Sequence, residues 1–167
     1  LLKTEAKQIS DELDQKQPAA VIVELPSNPM LQCVDLPMVA KLAHQRGIPV
    51  IADDTIGSVL NIDALPYADL IFSSLTKSFA GRGDILAGSL VISPQSHWRK
   101  ELKEVLSDEA IAPLADSDAI ALEQASRDVI DRLPKLNQAC LSLKNRLEAH
   151  PAVARVLHPD SCPNFQG

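Results

Sequence analysis

The chain is organised around one stretch, Ser73-Ser74-Leu75-Thr76-Lys77-Ser78-Phe79-Ala80-Gly81-Arg82-Gly83-Asp84. It follows an apolar run, residues 68–72, that is typical of a buried strand. A lysine at the end of a strand, beside small hydroxyl side chains and flexible backbone, suits an enzyme that binds a carbonyl compound as a Schiff base. Taken alone, the same stretch also fits a solvated lysine in an ordinary loop.

A second stretch lies upstream, Pro49-Val-Ile-Ala-Asp-Asp-Thr55, where a short apolar strand ends on two carboxylates. Asp53 comes 24 residues before Lys77, which leaves room for one more strand. In an open parallel sheet both side chains then lie at strand carboxyl ends, where ligands bind. Pyridoxal phosphate requires this combination, because its aldehyde takes a lysine and its ring nitrogen needs an acidic partner. Together the two stretches predict pyridoxal 5'-phosphate as the cofactor.

Three ordered motifs resemble one family: Glu24-Leu-Pro-Ser-Asn-Pro29, Ala52-Asp-Asp-Thr55 and Ser74-Leu-Thr-Lys77. They are similar to motifs of the pyridoxal-phosphate-dependent enzymes of Cys/Met metabolism, which include cystathionine γ-synthases, γ-lyases and β-lyases. The order and spacing match over about residues 20–92, and the later helical segment matches more loosely. The resemblance implies an α/β fold of the fold-type I PLP-transferase kind, with a mostly parallel sheet in a large domain.

The chain departs from the family pattern at several positions. Asp54 stands where the family usually has Asn, Leu25 where it has Thr, and residues 78–81 replace a segment that commonly contains Tyr. The runs 54–57, 65–69 and 73–77 resemble the fungal-type cystathionine γ-synthase branch most closely. The resemblance therefore implies a transsulfuration enzyme, most closely a γ-synthase that performs γ-replacement on O-activated homoserine. The alternative is a γ- or β-lyase acting on a sulfur-containing amino acid.

The resemblance implies a role for each matched residue. Lys77 binds the cofactor aldehyde and moves protons, and Asp53 pairs with the ring nitrogen. Ser74 and Thr76 are two apart, so in an extended segment they share a face and can donate to the cofactor phosphate. Asn28 lies beside the cofactor and the substrate carboxylate. The plain alternatives are that the Ser74 and Thr76 hydroxyls bond only to backbone groups and that Asn28 is an ordinary turn residue.

Composition narrows the class of protein. The 167 residues carry a net charge of -6 from 16 basic and 22 acidic side chains, which does not favour a nucleic-acid groove. No apolar run is long enough to cross a membrane, and no signal peptide is visible. The three cysteines are widely spaced, which predicts reduced thiols in a cytoplasmic protein and no metal site. The ends of the sequence suggest a piece excised from a longer protein.

Hydrophobic periodicity predicts alternating helices and strands in a parallel sheet. Asp35 is the expected N-cap of the second helix and Gly47 its end. The predicted elements are a helix over 4–17, a strand over 20–25, a helix ending at Gly47, a strand ending on Asp53, a strand over 68–75 and a strand over 89–93.

The second half of the chain predicts helices. Leucine-rich stripes run through residues 117–150, and Pro134 separates them with a kink or a helix break. Packing of both stripes is expected. We assign residues 1–115 to part of the cofactor-binding domain, 116–150 to connecting helices and 151–167 to the start of a smaller C-terminal domain, with Val153–Leu157 as its first strand.

Two other classes of protein compete with this interpretation. A phosphoacceptor signalling domain needs a further Asp after a strand of its own, and Asp63 and Asp69 do not meet that requirement. A non-catalytic scaffold is disfavoured by the intact Lys77 and Asp53. By resemblance the partners are a small-molecule amino-acid substrate and further copies of the chain, in a homo-oligomer (dimer or tetramer). Residues 70–80 contain no arginine that could neutralise the cofactor phosphate. This favours a positive charge contributed by a neighbouring subunit.

Overall fold

The computed structural model describes residues 5–107 and 112–164. Residues 1–4, 108–111 and 165–167 lie outside this range, and they include the first residue of the predicted helix over 4–17 and the end of the predicted C-terminal segment over 151–167. The described elements are α1 (Ala6–Lys16), β1 (Val21–Glu24), α2 (Leu36–His44), β2 (Val50–Asp53), β3 (Leu70–Ser74), β4 (Gly88–Ile92), α3 (Arg99–Leu106), α4 (Asp116–Ser126), α5 (Val129–Glu148) and a short 3-10 helix (Pro159–Ser161).

One four-stranded sheet runs in the order β1-β2-β3-β4. The pairs β1–β2 and β2–β3 are parallel, as predicted, and the register brings Glu24, Asp53 and Phe72 side by side at one edge. The last strand, β4, is antiparallel to β3, so the sheet is mostly parallel, as the family resemblance implied, whereas the alternation of helices and strands alone predicted a parallel pairing here. The physical reason is the connection over residues 75–87, which contains no helix to carry the chain back across the sheet.

Helix α2 forms where its capping residues predict it. The Asp35 side chain accepts a hydrogen bond from the Met38 N–H at 3.0 Å. At the other end Gly47 has φ +67, and the Ile48 N–H reaches back to the Ala43 carbonyl at 3.0 Å. This left-handed glycine closes the helix and turns the chain into β2.

The main core lies between the sheet and the pair α1 and α2. Its side chains are small or branched, which allows the helices to approach the strands closely. The buried members are Leu13, Leu25, Leu36, Ala40, Ala43, Ile48, Val50, Ala52, Ala64, Ala68 and Ile71. This packing fixes the strands whose carboxyl ends carry the candidate site residues.

Asp69 fastens the opposite, amino-terminal edge of the sheet. Its buried carboxylate accepts hydrogen bonds from the Val50 N–H (2.8 Å), from His44 Nε2 (2.9 Å) and from the Ser96 hydroxyl (2.7 Å). One side chain therefore joins the start of β2, the end of α2 and the loop after β4. Asp69 precedes β3, so it cannot serve as a phosphoacceptor at the carboxyl ends of the strands.

The helical half of the chain differs from the prediction in two ways. The break falls at residues 127–128, and Pro134 lies inside α5. Leu122 and Leu133 are buried as expected, whereas Leu136 and Leu143 of the second stripe are about half exposed, at 48% and 57%. The part of the chain that the structure describes therefore covers the second stripe only in part.

Residues 153–157 do not form the predicted strand. Their backbone is irregular, because no strand among the described residues pairs with them. The 3-10 helix that follows brings Cys162 to Cys33, whose N–H donates to Cys162 Sγ at 3.1 Å. Burial, with the neighbouring Cys162 thiol, raises the pKa of Cys33 to about 11. The buried Cys162 acts as the small apolar residue that was predicted, whereas Cys140 is exposed. Across residues 5–107 and 112–164, no helix is both long and apolar enough to span a bilayer.

Candidate functional site

The candidate site residues lie at one edge of the sheet, where the parallel strands end. Asp53 is the last residue of β2 and Ser74 the last residue of β3. Asn28 lies in the turn after β1. Because the carboxyl ends of neighbouring parallel strands meet, the fold itself concentrates these side chains at the edge where open α/β sheets bind ligands.

The Asp53 carboxylate is partly buried and is oriented by the backbone that follows it. Its Oδ1 atom accepts a hydrogen bond from the Thr55 N–H at 2.9 Å. An aspartate that caps the turn after its own strand holds its carboxylate at the strand end, instead of letting it rotate into solvent. The group is thus available to a cationic or N–H partner at the sheet edge.

Thr55 and Ser74 connect the two strand ends. The Ser74 N–H donates to Thr55 Oγ1 at 2.8 Å, which ties the end of β3 to the turn after β2. Sequence reasoning missed this role of Thr55. The available signal was its place two residues beyond Asp53, in the same short motif.

An open cavity of about 440 Å³ adjoins these strand ends, a volume typical of small-molecule sites. It brings Asp53 together with hydroxyl-bearing residues and with the residues that lead into β4. The lining residues are Asp53, Thr55, Phe72, Ser73, Ser74, Thr76, Leu86, Ala87 and Gly88. Three of the five predicted site residues, Asp53, Ser74 and Thr76, therefore share one cavity.

The predicted reason for pairing Ser74 with Thr76 was wrong. Strand β3 ends at Ser74, and Thr76 lies in the turn beyond it, so the two residues are not alternate members of one extended segment. Thr76 reaches the cavity because its Oγ1 accepts the Ala87 N–H at 3.3 Å. Backbone contact thus accounts for part of its hydrogen-bonding capacity, as the plain alternative anticipated.

Lys77 and Asn28 do not line this cavity. Lys77 is exposed, three residues past the end of β3, in the turn over residues 75–80. Asn28 is also exposed, and its backbone N–H donates to the Glu24 carboxylate at 2.9 Å. Arg82, the nearest arginine after Lys77, is exposed and paired with Asp84 at 2.8 Å.

Asp54 points away from the cavity into the protein. It is 2% exposed, and its carboxylate accepts a hydrogen bond from the Ser73 hydroxyl. Burial, and secondarily the charge of Asp53, raise the pKa of Asp54. The Asp54 carboxylate is thus hydrogen-bonded to the end of β3, and Asp54 is not among the residues that line this cavity.

The raised pKa predicts the effect of Asp54→Asn. A carboxyl whose folded pKa exceeds its unfolded value stabilises the fold fully at pH below about 4 and loses that contribution as pH rises through the folded pKa. The amide keeps an acceptor for Ser73 without the buried charge. Asp54→Asn should therefore retain most activity, and denaturation from pH 4 to 8 should find its stability, relative to the parent, rising with pH. The exposed Asp63→Asn is the control, and a stability that falls relative to the parent as pH rises would contradict the assignment.

The residues present fit pyridoxal phosphate on the chemistry of their donor set. A strand-end carboxylate suits the ring nitrogen, and the hydroxyls of Thr55, Ser74 and Thr76 suit phosphate oxygens. The cavity lining contains no cationic side chain, so a phosphate there still requires positive charge from elsewhere. The carboxylate and hydroxyl parts of the predicted site are therefore present on this chain.

Comparison with known proteins agrees with this chemistry. The family model described as Cys/Met metabolism PLP-dependent enzyme matches residues 3–166. The cystathionine gamma-synthase of Neurospora crassa is 32% identical over 150 residues, covering 88% of this chain and 24% of that protein. The alanine racemase ungC of Aspergillus violaceofuscus is 36% identical over 148 residues, covering 86% and 25%.

A solved structure gives the same architecture. The cystathione gamma lyase CalE6 of Micromonospora echinospora superposes with a TM-score of 0.82 at 29% identity, covering 93% of this chain and 40% of that one. The chain spans about a quarter of the length of the curated relatives it matches.

Proposed function

Because this chain belongs to the Cys/Met metabolism PLP-dependent enzyme family, we propose that the protein containing it is a transsulfuration enzyme of the cystathionine γ-synthase kind. It would replace the γ-substituent of O-activated homoserine. The observation that carries the proposal is the meeting of the Asp53 carboxylate with the Ser74 and Thr76 hydroxyls in one cavity, beside the turn that bears Lys77. Membership of the family identifies the cofactor as pyridoxal phosphate, and the residues that line the cavity are chemically suited to bind it.

Each residue has a proposed role. Lys77 attaches the cofactor through its amine and, when neutral, takes up and returns protons beside the reacting carbon. Asp53 holds the ring nitrogen in its protonated form, and Ser74 and Thr76 donate to the phosphate. Asn28 is proposed to lie against the cofactor and the substrate carboxylate, which requires its exposed side chain to be covered in the intact protein. When bound, pyridoxal phosphate supplies an electron sink for negative charge on the substrate carbon.

The choice of γ-replacement rests on the fungal-type motifs and on the Neurospora relative. The alternative, γ- or β-elimination, is supported by the gamma lyase among the solved structures. The relatives also include a protein named as an alanine racemase, so their names span several reactions. All of these reactions need a lysine that moves protons, which is the part that this chain itself can supply.

Borohydride reduction tests the proposal on the intact protein loaded with pyridoxal phosphate. Reduction should fix the cofactor covalently, and peptide mapping should place it on Lys77. The matched control is the exposed Lys100, on α3, which should remain unmodified. A reduced adduct mapped to another lysine would overturn the assignment of Lys77, and no adduct at all would overturn the cofactor assignment.

Asp53→Asn should lower turnover strongly while leaving the fold intact. The amide can still accept the Thr55 N–H, but it cannot stabilise a protonated ring nitrogen by charge. Loss of one charge-assisted hydrogen bond costs roughly 1.5 to 3 kcal/mol, or about tenfold to 150-fold in rate. Steady-state kinetics of the intact protein measure the loss. Parent-like turnover of the Asn variant would exclude Asp53 as the ring partner.

We further propose that the protein acts as a homo-oligomer, a dimer or tetramer, with a site completed by a neighbouring subunit. The cavity lining has hydroxyls but no cation for a phosphate that carries about two negative charges. Residues 1–115 would belong to the cofactor domain, 116–150 to the connecting helices and 151–167 to the start of a C-terminal domain. The unpaired thiols support a cytoplasmic location. Dilution of the intact protein should dissociate the assembly and release the cofactor. Sedimentation measures the assembly state.

A further inference from the structure

The turn that bears Lys77 is held from the helical half of the chain by one arginine. Arg132, on α5, donates through Nη1 to the Ser78 carbonyl at 2.6 Å and through Nη2 to the Phe79 carbonyl at 3.0 Å. Its side chain is 21% exposed, and Asp128 accepts from its Nε at 3.0 Å. A planar guanidinium can donate in two directions from one fixed plane, which suits it to adjacent carbonyls.

Gly81 permits this close approach. Its φ is +71, and a Cβ at this position would lie 2.5 Å from Arg132 Nη1. Any larger residue would therefore displace the guanidinium and would strain the backbone in the left-handed region. The glycine accordingly has a second role beyond loop geometry, since it leaves the space that the guanidinium occupies.

The same turn also packs against α4. Buried Ala80 and Ile85 form a small cluster with Leu122, and Phe79 packs against it. Within the turn, the Gly81 N–H donates to the Lys77 carbonyl at 2.8 Å and the Ala80 N–H to the Leu75 carbonyl at 2.9 Å. The residues before and after Lys77 are thus fixed to the body of the protein, while the lysine side chain itself is exposed.

We propose that Arg132 is a positioning residue for Lys77. With Asp128 orienting its guanidinium, Arg132 fixes the two carbonyls that follow Lys77 and so sets where the amine stands. The part that concerns the cofactor rests on the proposed function. A catalytic group must be placed within a fraction of an ångström, and a 1 Å misplacement can cost about a hundredfold in rate. Holding the backbone immediately after the lysine limits such misplacement.

The variants Arg132→Lys and Arg132→Ala test the proposal in the intact protein, with and without pyridoxal phosphate. Lysine keeps the charge but cannot donate to both carbonyls from one plane, and alanine removes both bonds. The control is Arg127→Ala, because Arg127 makes a comparable two-bonded ion pair with Glu123 on the surface, where it is 69% exposed. Hydrogen exchange of the Ala80 and Gly81 amides is the first readout, and the rate at which added cofactor becomes attached is the second.

Without cofactor, the Ala80 and Gly81 amides should exchange at least about tenfold faster in Arg132→Ala than in the parent. Their exchange rates should be intermediate in Arg132→Lys and equal to those of the parent in Arg127→Ala. The rate of cofactor attachment should be lowest in Arg132→Ala, intermediate in Arg132→Lys and parent-like in Arg127→Ala. Parent-like exchange in Arg132→Ala, or an equal increase throughout the sheet, would overturn the proposal. If the alanine variant does not fold, Arg132→Lys decides in the same way. Exchange in the cofactor-free protein does not depend on Lys77 chemistry, so failure of the proposed function would appear separately, in the peptide map.

Discussion

Lys77→Ala is expected to lower kcat/KM of the intact protein by about 10²- to 10⁴-fold, the range for loss of a positioned proton-transfer group. The variant loses both the amine that attaches the cofactor and the group that moves the proton. Because the lysine side chain is exposed and lies in a turn beyond β3, its removal takes nothing from the core. Folding should therefore be unchanged, and the loss should be one of turnover.

Matched measurements separate these effects. Lys100→Ala removes an equally flexible amine that is 85% exposed on α3, and it should leave turnover and stability at the parent values. Steady-state kinetics and thermal unfolding of both variants complete the comparison. If Lys77→Ala turned over within a few-fold of the parent, Lys77 would not be the catalytic residue.

Asp69→Ala should destabilise the fold by about 2 to 4 kcal/mol, because it removes the acceptor of several hydrogen bonds at the start of the sheet. It deprives the fully buried Val50 N–H of its acceptor, and an unsatisfied buried donor costs about 1 to 3 kcal/mol. It also releases the Ser96 hydroxyl and His44. Since His44 is about one-third exposed, its share of the loss is small.

Chemical denaturation of the intact protein measures this loss. Asp63→Ala removes an exposed acid from the same connection and should change stability by less than about 0.5 kcal/mol. Asp69→Asn should fall between the two, because its amide oxygen still accepts from Val50. Equal stability of the Asp69→Ala and Asp63→Ala variants would show that the buried carboxylate does not fasten the sheet edge.

The first half of the fold is predictable from local sequence. Apolar runs that end in polar residues gave β1, β2 and β3 to within two residues of their observed bounds. Asp35 and Gly47 marked the ends of α2 because capping is a local hydrogen-bonding property. The meeting of Asp53 and Ser74 followed from one rule, that parallel strands end at a common edge.

The features that were missed depend on distant parts of the chain. The direction of β4 is set by a connection without a helix, and exposure of Leu136 and Leu143 depends on what packs against α5. Pro134 is tolerated inside α5, although its pattern suggested a break. The link from Thr55 to Ser74 and the clamp by Arg132 join residues 19 and 54 positions apart. No spacing rule anticipates such pairs.

The strand order has a consequence for how the sheet is made. Each strand pairs with the strand that precedes it in the chain, from β1 to β4. Each of these strands can therefore add to the edge of the preceding one, and none has to be inserted between two earlier strands. Pairing between sequential neighbours keeps the loops that must close as short as parallel connections allow, which lowers the entropic cost of closing them. The strand ends that carry Asp53 and Ser74 are therefore brought together by the pairing of consecutive strands alone, without a contribution from any more distant part of the described chain.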